Sequence, residues 1–172
     1  VLDSAGSPGG WGQMCADLGI AITLCQPFRE FEGGRRDRRQ KNLDRAERKF
    51  DLMQELGTDL VLVCSNVQAD ALGDEQILVD DLRLLGEHAG KRGLRIGYEA
   101  LAWGRHVNTY QQVWNLVRQA DHAALGVILD SFHTLSLKGD PAAIRDIPGD
   151  KIFFVQMADA PILAMDVLEW SR

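Results

Sequence analysis

The chain has no run of 18 or more apolar residues, so nothing in it reads as a membrane-spanning helix. Nor does it open with the charged-then-apolar segment of a signal peptide. Positive charge is in the minority, with 19 Lys and Arg against 25 Asp and Glu and a net charge of -6. Phosphate contacts need clustered cations, so no nucleic-acid partner is expected. Cysteine is scarce: Cys15, Cys25 and Cys64 are odd in number and show no CxxC spacing. That excludes a zinc-ribbon signature and a disulfide framework, and it fits a reducing cytoplasm. Cys25 and Cys64 have no evident activating partner and read as core or pocket packing. Neither GxGxxG nor GxxxxGK(S/T) follows the first strand candidate, which removes support from nucleotide-binding folds.

What is present is an ordinary globular composition over 172 residues, 45% hydrophobic and 26% charged, enough for one domain. Strand candidates begin near Ile20 (IAITL), Asp59 (DLVLV), Leu94 (LRIGY), Leu125 (LGVIL) and Ile152 (IFFVQ). Gly19, Gly57, Gly93 and Gly126 punctuate four of them, as expected where a helix closes on Gly before a strand. The segments between carry helical periodicity. Leu43, Ala46, Phe50, Met53 and Leu56 share one face, as do Leu78, Leu82, Leu85, His88 and Ala89, and then Val113, Leu116, Val117 and Ala120.

Strands alternating with helices imply a parallel α/β sheet with right-handed crossovers. Continuous apolar strands such as Leu60–Val63 imply burial on both faces. Polar residues close several separate strands, which favours a (β/α)8 TIM barrel over a doubly wound sheet with one crevice. A full barrel needs roughly 250 residues, and only five βα units are legible here. The chain begins without Met and stops at Trp170-Ser171-Arg172, inside a helix-like segment. The expectation is an incomplete barrel over residues 1–172, strands two to six of eight, with two open apolar edges.

The chemistry is expected at the strand ends. Glu99, Asp130 and Gln156 each terminate a strand candidate, where a barrel places its functional groups. Two carboxylates and an amide oxygen form a hard donor set, suited to Mg²⁺, Mn²⁺ or Co²⁺ more than to Zn²⁺. The plainer alternatives are a helix cap or an ion pair for Glu99 and a turn cap for Asp130. The cluster Arg35-Arg36-Asp37-Arg38-Arg39 with Lys41 reads as a solvated surface at a loop-to-helix junction.

Longer stretches carry a resemblance. Tyr98-Glu99-Ala100-Leu101-Ala102-Trp103-Gly104-Arg105-His106-Val107-Asn108 is one, Leu129-Asp130-Ser131-Phe132-His133 a second, and Ile152–Pro161 (IFFVQMADAP) a third. With Gln26-Pro27-Phe28-Arg29 and Arg45–Asp51, they resemble bacterial 3-dehydroshikimate dehydratases of the xylose-isomerase-like superfamily of sugar phosphate isomerases and epimerases. The resemblance runs from about Leu18 onward. It implies a divalent metal on Glu99, Asp130 and Gln156, with a further Glu after a strand beyond Arg172. Glu169, on a helix-like segment, is a poor substitute for it. It also implies that a domain resembling 4-hydroxyphenylpyruvate dioxygenase follows the barrel in some members.

His133, three residues past Asp130, is the expected general base, with an imidazole suited to neutral pH. Arg29 is placed to hold a substrate carboxylate bidentately. Trp103 and Phe132 are expected to wall the pocket, His106 to line it or merely pack, and Asp159 to orient the metal ligands. His88 and His122 read as structural.

The expected function is a lyase that dehydrates 3-dehydroshikimate to protocatechuate. A sugar phosphate or keto-sugar isomerase or epimerase on the same barrel also begins by removing a proton next to a carbonyl. A non-catalytic metabolite-binding fragment is the alternative of another class. A small-molecule substrate is the expected partner, and a homo-oligomer stays open.

Overall fold

Apolar residues that cannot alternate sides must be covered on both faces, and β2 (Leu60–Cys64) is buried at all five positions. The computed structural model describes residues 6–161. Within them, β1 (Cys25–Phe28), β2, β3 (Arg95–Glu99), β4 (Leu125–Asp130) and β5 (Ile152–Gln156) form one sheet in chain order, every neighbouring pair parallel. Sequential order with a helix between successive strands is the curved wall of a barrel.

The covering helices are α1 (Pro8–Asp17), α2 (Arg39–Leu56), α3 (Glu75–Gly90) and α4 (Tyr110–Ala120), with a short α5 (Ser131–Ser136) above β4. Ala46, Phe50 and Met53 of α2, Leu78, Leu82, Leu85 and Ala89 of α3, and Val113, Leu116, Val117 and Ala120 of α4 are buried, the faces that the periodicity marks. They pack on the outward side chains Val61, Val63, Ile96, Tyr98, Val127 and Leu129. The inward side chains Leu62, Cys64, Leu101 and Ile128 form a second cluster inside the wall. Gly97 faces that interior. A Cβ there would lie 2.5 Å from the Ile128 side chain, so only glycine lets β3 and β4 close up. Gly57 closes α2 at φ 73°, the left-handed turn its position predicts.

Two expectations need correction. The first strand starts at Cys25, not Ile20, because the ladder with β2 begins at the pair Cys25–Val61. Ile20 is held elsewhere: its N–H donates to Cys15 O of α1 at 2.8 Å, and its side chain is exposed. Helix α1 itself carries a sequence signal that periodicity passes over, Ser7 capping Gly10 N–H with Pro8 at the first helical position. The basic cluster is also not wholly solvated. Arg35 pairs with exposed Asp37, but Arg36 reaches the buried Asp81 of α3 with both terminal nitrogens, and Arg39 lies 3.7 Å from it.

His88 pairs with Glu47 at 2.6 Å, and His122 packs on Gly86 and Gly90, so both are structural as expected. Cys25 and Cys64 are buried and free. No helix among the described residues is long and apolar enough to cross a membrane. β1 and β5 are each paired on one side only among the described residues, and Val155 and Met157 beside the β5 edge are exposed.

Candidate metal centre

The C-terminal ends of β3, β4 and β5 bring the polar residues together. Glu99 closes β3, and its side chain turns inward because its neighbour Tyr98 takes the outward position. It is buried, 4% exposed. Gln156 closes β5 beside Asp130, its register partner on β4, and donates from Nε2 to Glu99 Oε1 at 2.8 Å. Asp130 does cap a turn, as the plainer reading had it: its Oδ1 accepts from Phe132 N–H at 2.7 Å. That bond fixes the carboxylate and leaves Oδ2 for the site. One ligand atom each from Glu99, Asp130 and His133 lies within 4.8 Å of the others.

Burial in apolar surroundings, with Asp130 adding repulsion, pushes the Glu99 carboxyl up to about 8. Cys64, the neighbour of Glu99 on β2, is pushed up to about 12, first by burial and then by the Glu99 charge. It is an inert thiol filling the wall. The buried Glu99 faces the half-buried Asp130 here, and a divalent cation would satisfy the charge that burial penalises. Carboxylate, amide and imidazole donors suit such an ion, so these residues fit the metal that the resemblance implies.

His133 stands on α5. Ala102 N–H donates to its Nδ1 at 3.2 Å, so the neutral ring carries its proton on Nε2. Trp103 and Phe132 meet the ring edge-on at centroid distances of 5.1 and 5.4 Å. Burial lowers its pKa, Asp130 opposes that, and the Arg29 charge adds to it. Arg29 therefore lies within electrostatic reach of the cluster, where it also lowers the Glu99 and Cys64 values. No carboxylate of the described residues pairs with its guanidinium.

His106 and Asp159 are not brought to this cluster. His106 Nε2 contacts Ala71 O at 2.9 Å, and its ring packs against Gly73 in the β2–α3 loop. Asp159 sits on the exposed loop after β5, in a hollow it shares with Phe132 and Leu135. Glu169 lies outside the described residues.

A set of buried polar residues supports the site, and sequence reasoning missed it. Glu32 Oε1 accepts from Asn66 N–H and, at 2.9 Å, from Tyr98 OH, while Asn66 Nδ2 donates to Glu32 O at 2.9 Å. Ser65 N–H donates to Glu99 O, and Ser65 Oγ accepts from Leu101 N–H, both at 2.9 Å. Asn66 O accepts from Arg105 N–H at 2.8 Å. The β1, β2 and β3 loops are thus stitched into one surface that carries Arg29, Ala102 and Trp103. The only local signal was an acid, Glu32, before the pair Gly33-Gly34 in a segment of otherwise exposed charge.

A family model described as the xylose isomerase-like TIM barrel matches residues 9–168. Over its whole length the chain is 94% identical to a 3-dehydroshikimate dehydratase of Pseudomonas putida and 74% identical to one of Pseudomonas aeruginosa, spanning 27% of the length of each. Among solved structures, a xylose isomerase-like TIM barrel/4-hydroxyphenylpyruvate dioxygenase fusion protein superposes with a TM-score of 0.94. It is 93% identical, over 98% of this chain and 27% of that one. The IOLI protein, solved with a binding zinc atom, superposes with a TM-score of 0.79 over 92% of this chain and 60% of that one. At 20% identity that match shows the fold alone.

Proposed function

Because the chain belongs to the xylose isomerase-like TIM barrel family, we propose that it forms part of a 3-dehydroshikimate dehydratase, with its metal ligands at the ends of β3, β4 and β5. The convergence of Glu99, Asp130, His133 and Gln156 carries the reading, since it brings together three segments that lie well apart in the sequence. The identity to the two Pseudomonas dehydratases supports 3-dehydroshikimate as the substrate.

In the proposed reaction a proton leaves the carbon next to the ketone, the β-hydroxyl departs as water, and enolisation gives the aromatic product. Glu99, Asp130 and Gln156 would hold Mg²⁺, Mn²⁺ or Co²⁺, which when bound supplies Lewis-acid polarisation of the keto group. His133 takes the proton. Its lowered pKa keeps the ring neutral near pH 7, and accepting a proton requires the bond from Ala102 to be exchanged for the substrate. Arg29, with no carboxylate partner among the described residues, binds the substrate carboxylate. Trp103 and Phe132 hold the His133 ring and keep water from the developing enolate.

The test uses a chain of the relatives' full length carrying this sequence, mixed with 3-dehydroshikimate and each metal, with and without EDTA. Ultraviolet absorbance of protocatechuate is the readout. EDTA-sensitive product supports the dehydratase, and no product with any metal moves the assignment to a keto-sugar isomerase or epimerase. In the same assay Glu99→Gln and Asp130→Asn each lose more than about 100-fold in turnover, the scale expected when a group stabilising the transition state is removed.

A further inference from the structure

The charge of this molecule is unevenly placed. Residues 29–45 hold seven of the 19 Lys and Arg and four of the 25 Asp and Glu, a local excess of cations in a chain of net charge -6. Three of the seven lie against a carboxylate, Arg35 against Asp37, and Arg36 and Arg39 sharing Asp81. Arg29, Arg38, Lys41 and Arg45 have no carboxylate partner among the described residues. Arg38, Lys41 and Arg45 line one cleft of about 570 Å³ together with Asn42 and Gln68, and with the paired Arg35 and one acid, Glu30, so cations outnumber acids there.

This cleft is built, not merely a charged face. Arg45 lies over the Phe28 ring at 5.2 Å and donates to Asn42 Oδ1 at 3.2 Å, which fixes its fork. It also donates to Arg29 O at 3.0 Å, so the cleft wall continues into the residue whose charge is felt by Glu99 and His133 of the cluster. Asn42 Nδ2 donates to Glu30 O at 3.3 Å, and Glu30 is held at φ 60°, a left-handed conformation uncommon for a side chain of its kind. A concave row of unpaired cations focuses its field outward and raises the local concentration of small anions.

We propose that the cleft lined by Arg38, Lys41 and Arg45 collects the carboxylate-bearing substrate and passes it along Arg29 to the metal cluster. The inference rests on the dehydratase reading, whose substrate is a carboxylate anion at neutral pH. It adds a recognition step that precedes the chemistry: the cleft touches the anion on the way in, and Arg29 alone stays with it in the site.

The experiment measures kcat/KM for 3-dehydroshikimate against NaCl concentration, in the full-length chain with metal bound. At 0.01 M salt the screening length is about 30 Å and at 1 M about 3 Å, so a collecting field is felt at the first and lost at the second. The double variant Arg38→Glu/Lys41→Glu is expected to lose roughly five- to tenfold in kcat/KM at low salt, within the range by which steering alters encounter. The loss is carried by KM and vanishes at 1 M. The neutral pair Arg38→Gln/Lys41→Gln shows about half the effect on a logarithmic scale and guards against misfolding of the reversed one. Lys91→Glu, at the far end of α3, changes nothing. Turnover with the same salt dependence in all variants overturns the cleft and leaves the dehydratase standing. A loss that persists at 1 M salt also overturns it, since that is packing and not field. No turnover by the unaltered protein overturns the dehydratase reading, and the cleft's ligand with it.

Discussion

At the scale of single residues, the site turns on what His133 does. It lies within ligand distance of Glu99 and Asp130, yet its Nδ1 accepts from Ala102 N–H and its position suits proton transfer. His133→Asn separates the two roles. As the proton-transferring group, its loss lowers kcat by about 10²- to 10⁴-fold while the Mn²⁺ dissociation constant, read by calorimetry, stays within a few-fold. A fall of tenfold or more in Mn²⁺ affinity would make it a ligand instead. Asp130 shows how one residue serves two readings at once. Its capping bond to Phe132 N–H orients the same carboxylate that the metal would use. The bland and the functional expectation were both legible there because one carboxylate has two oxygens to offer.

At the scale of elements, the loop that follows β1 is held by groups from two neighbours. Asp81 of α3 accepts from Gly33 N–H at 3.0 Å and from Arg36, and Glu32 accepts from Asn66 and Tyr98. Removing Asp81 leaves the Gly33 N–H without its partner and Arg36 without its counter-charge. Arg36 is 41% exposed, so water recovers part of that loss. Asp81→Ala is expected to cost about 2–3 kcal/mol, the scale of hydrogen bonds to a charged group, read by urea denaturation. A cost under about 0.5 kcal/mol, as at an ordinary surface position, would show that the loop is held by its apolar contacts alone. None of this support was legible beforehand. Asp81 and Glu32 look like exposed charges in one dimension, and only the packing of the β1 loop against α3, the β2 loop and β3 buries them.

At the scale of the whole molecule, burial of the two acids sets a pH dependence. Glu32 is pushed up to about 8 by burial against its backbone and Tyr98 partners, and Glu99 to about 8 by burial and Asp130, both from an ordinary 4.5. Each binds a proton in the fold that it would release when unfolded. The stability from these groups is therefore complete below about pH 4.5 and is lost as pH rises through about 8. His133 acts with the opposite sign, but its part is finished once pH exceeds the ordinary value of 6.5. Between pH 7 and 8.5 the metal-free protein should lose melting temperature. Glu32→Gln, which carries no titration there, should shallow the slope, and Mn²⁺, which binds the ionised Glu99, should raise the curve throughout. A flat profile in the metal-free protein would contradict the burial of both carboxyls.

The alternation of strand and helix, the buried helix faces, and the polar residues ending β3, β4 and β5 were determined by the sequence alone. Periodicity and strand ends are local properties, written into side-chain order before any long-range contact forms. The start of β1 was not, because a strand's extent depends on where its partner's ladder begins, and β2 offers no partner to Ile20. Tertiary structure alone decided that His106 and Asp159 stand apart from the cluster, that Arg36 reaches inward, and that Glu32 is buried. Those outcomes depend on which loops lie side by side at the top of the barrel. That adjacency follows from the side-by-side pairing of the strands in the sheet and not from any spacing along the chain.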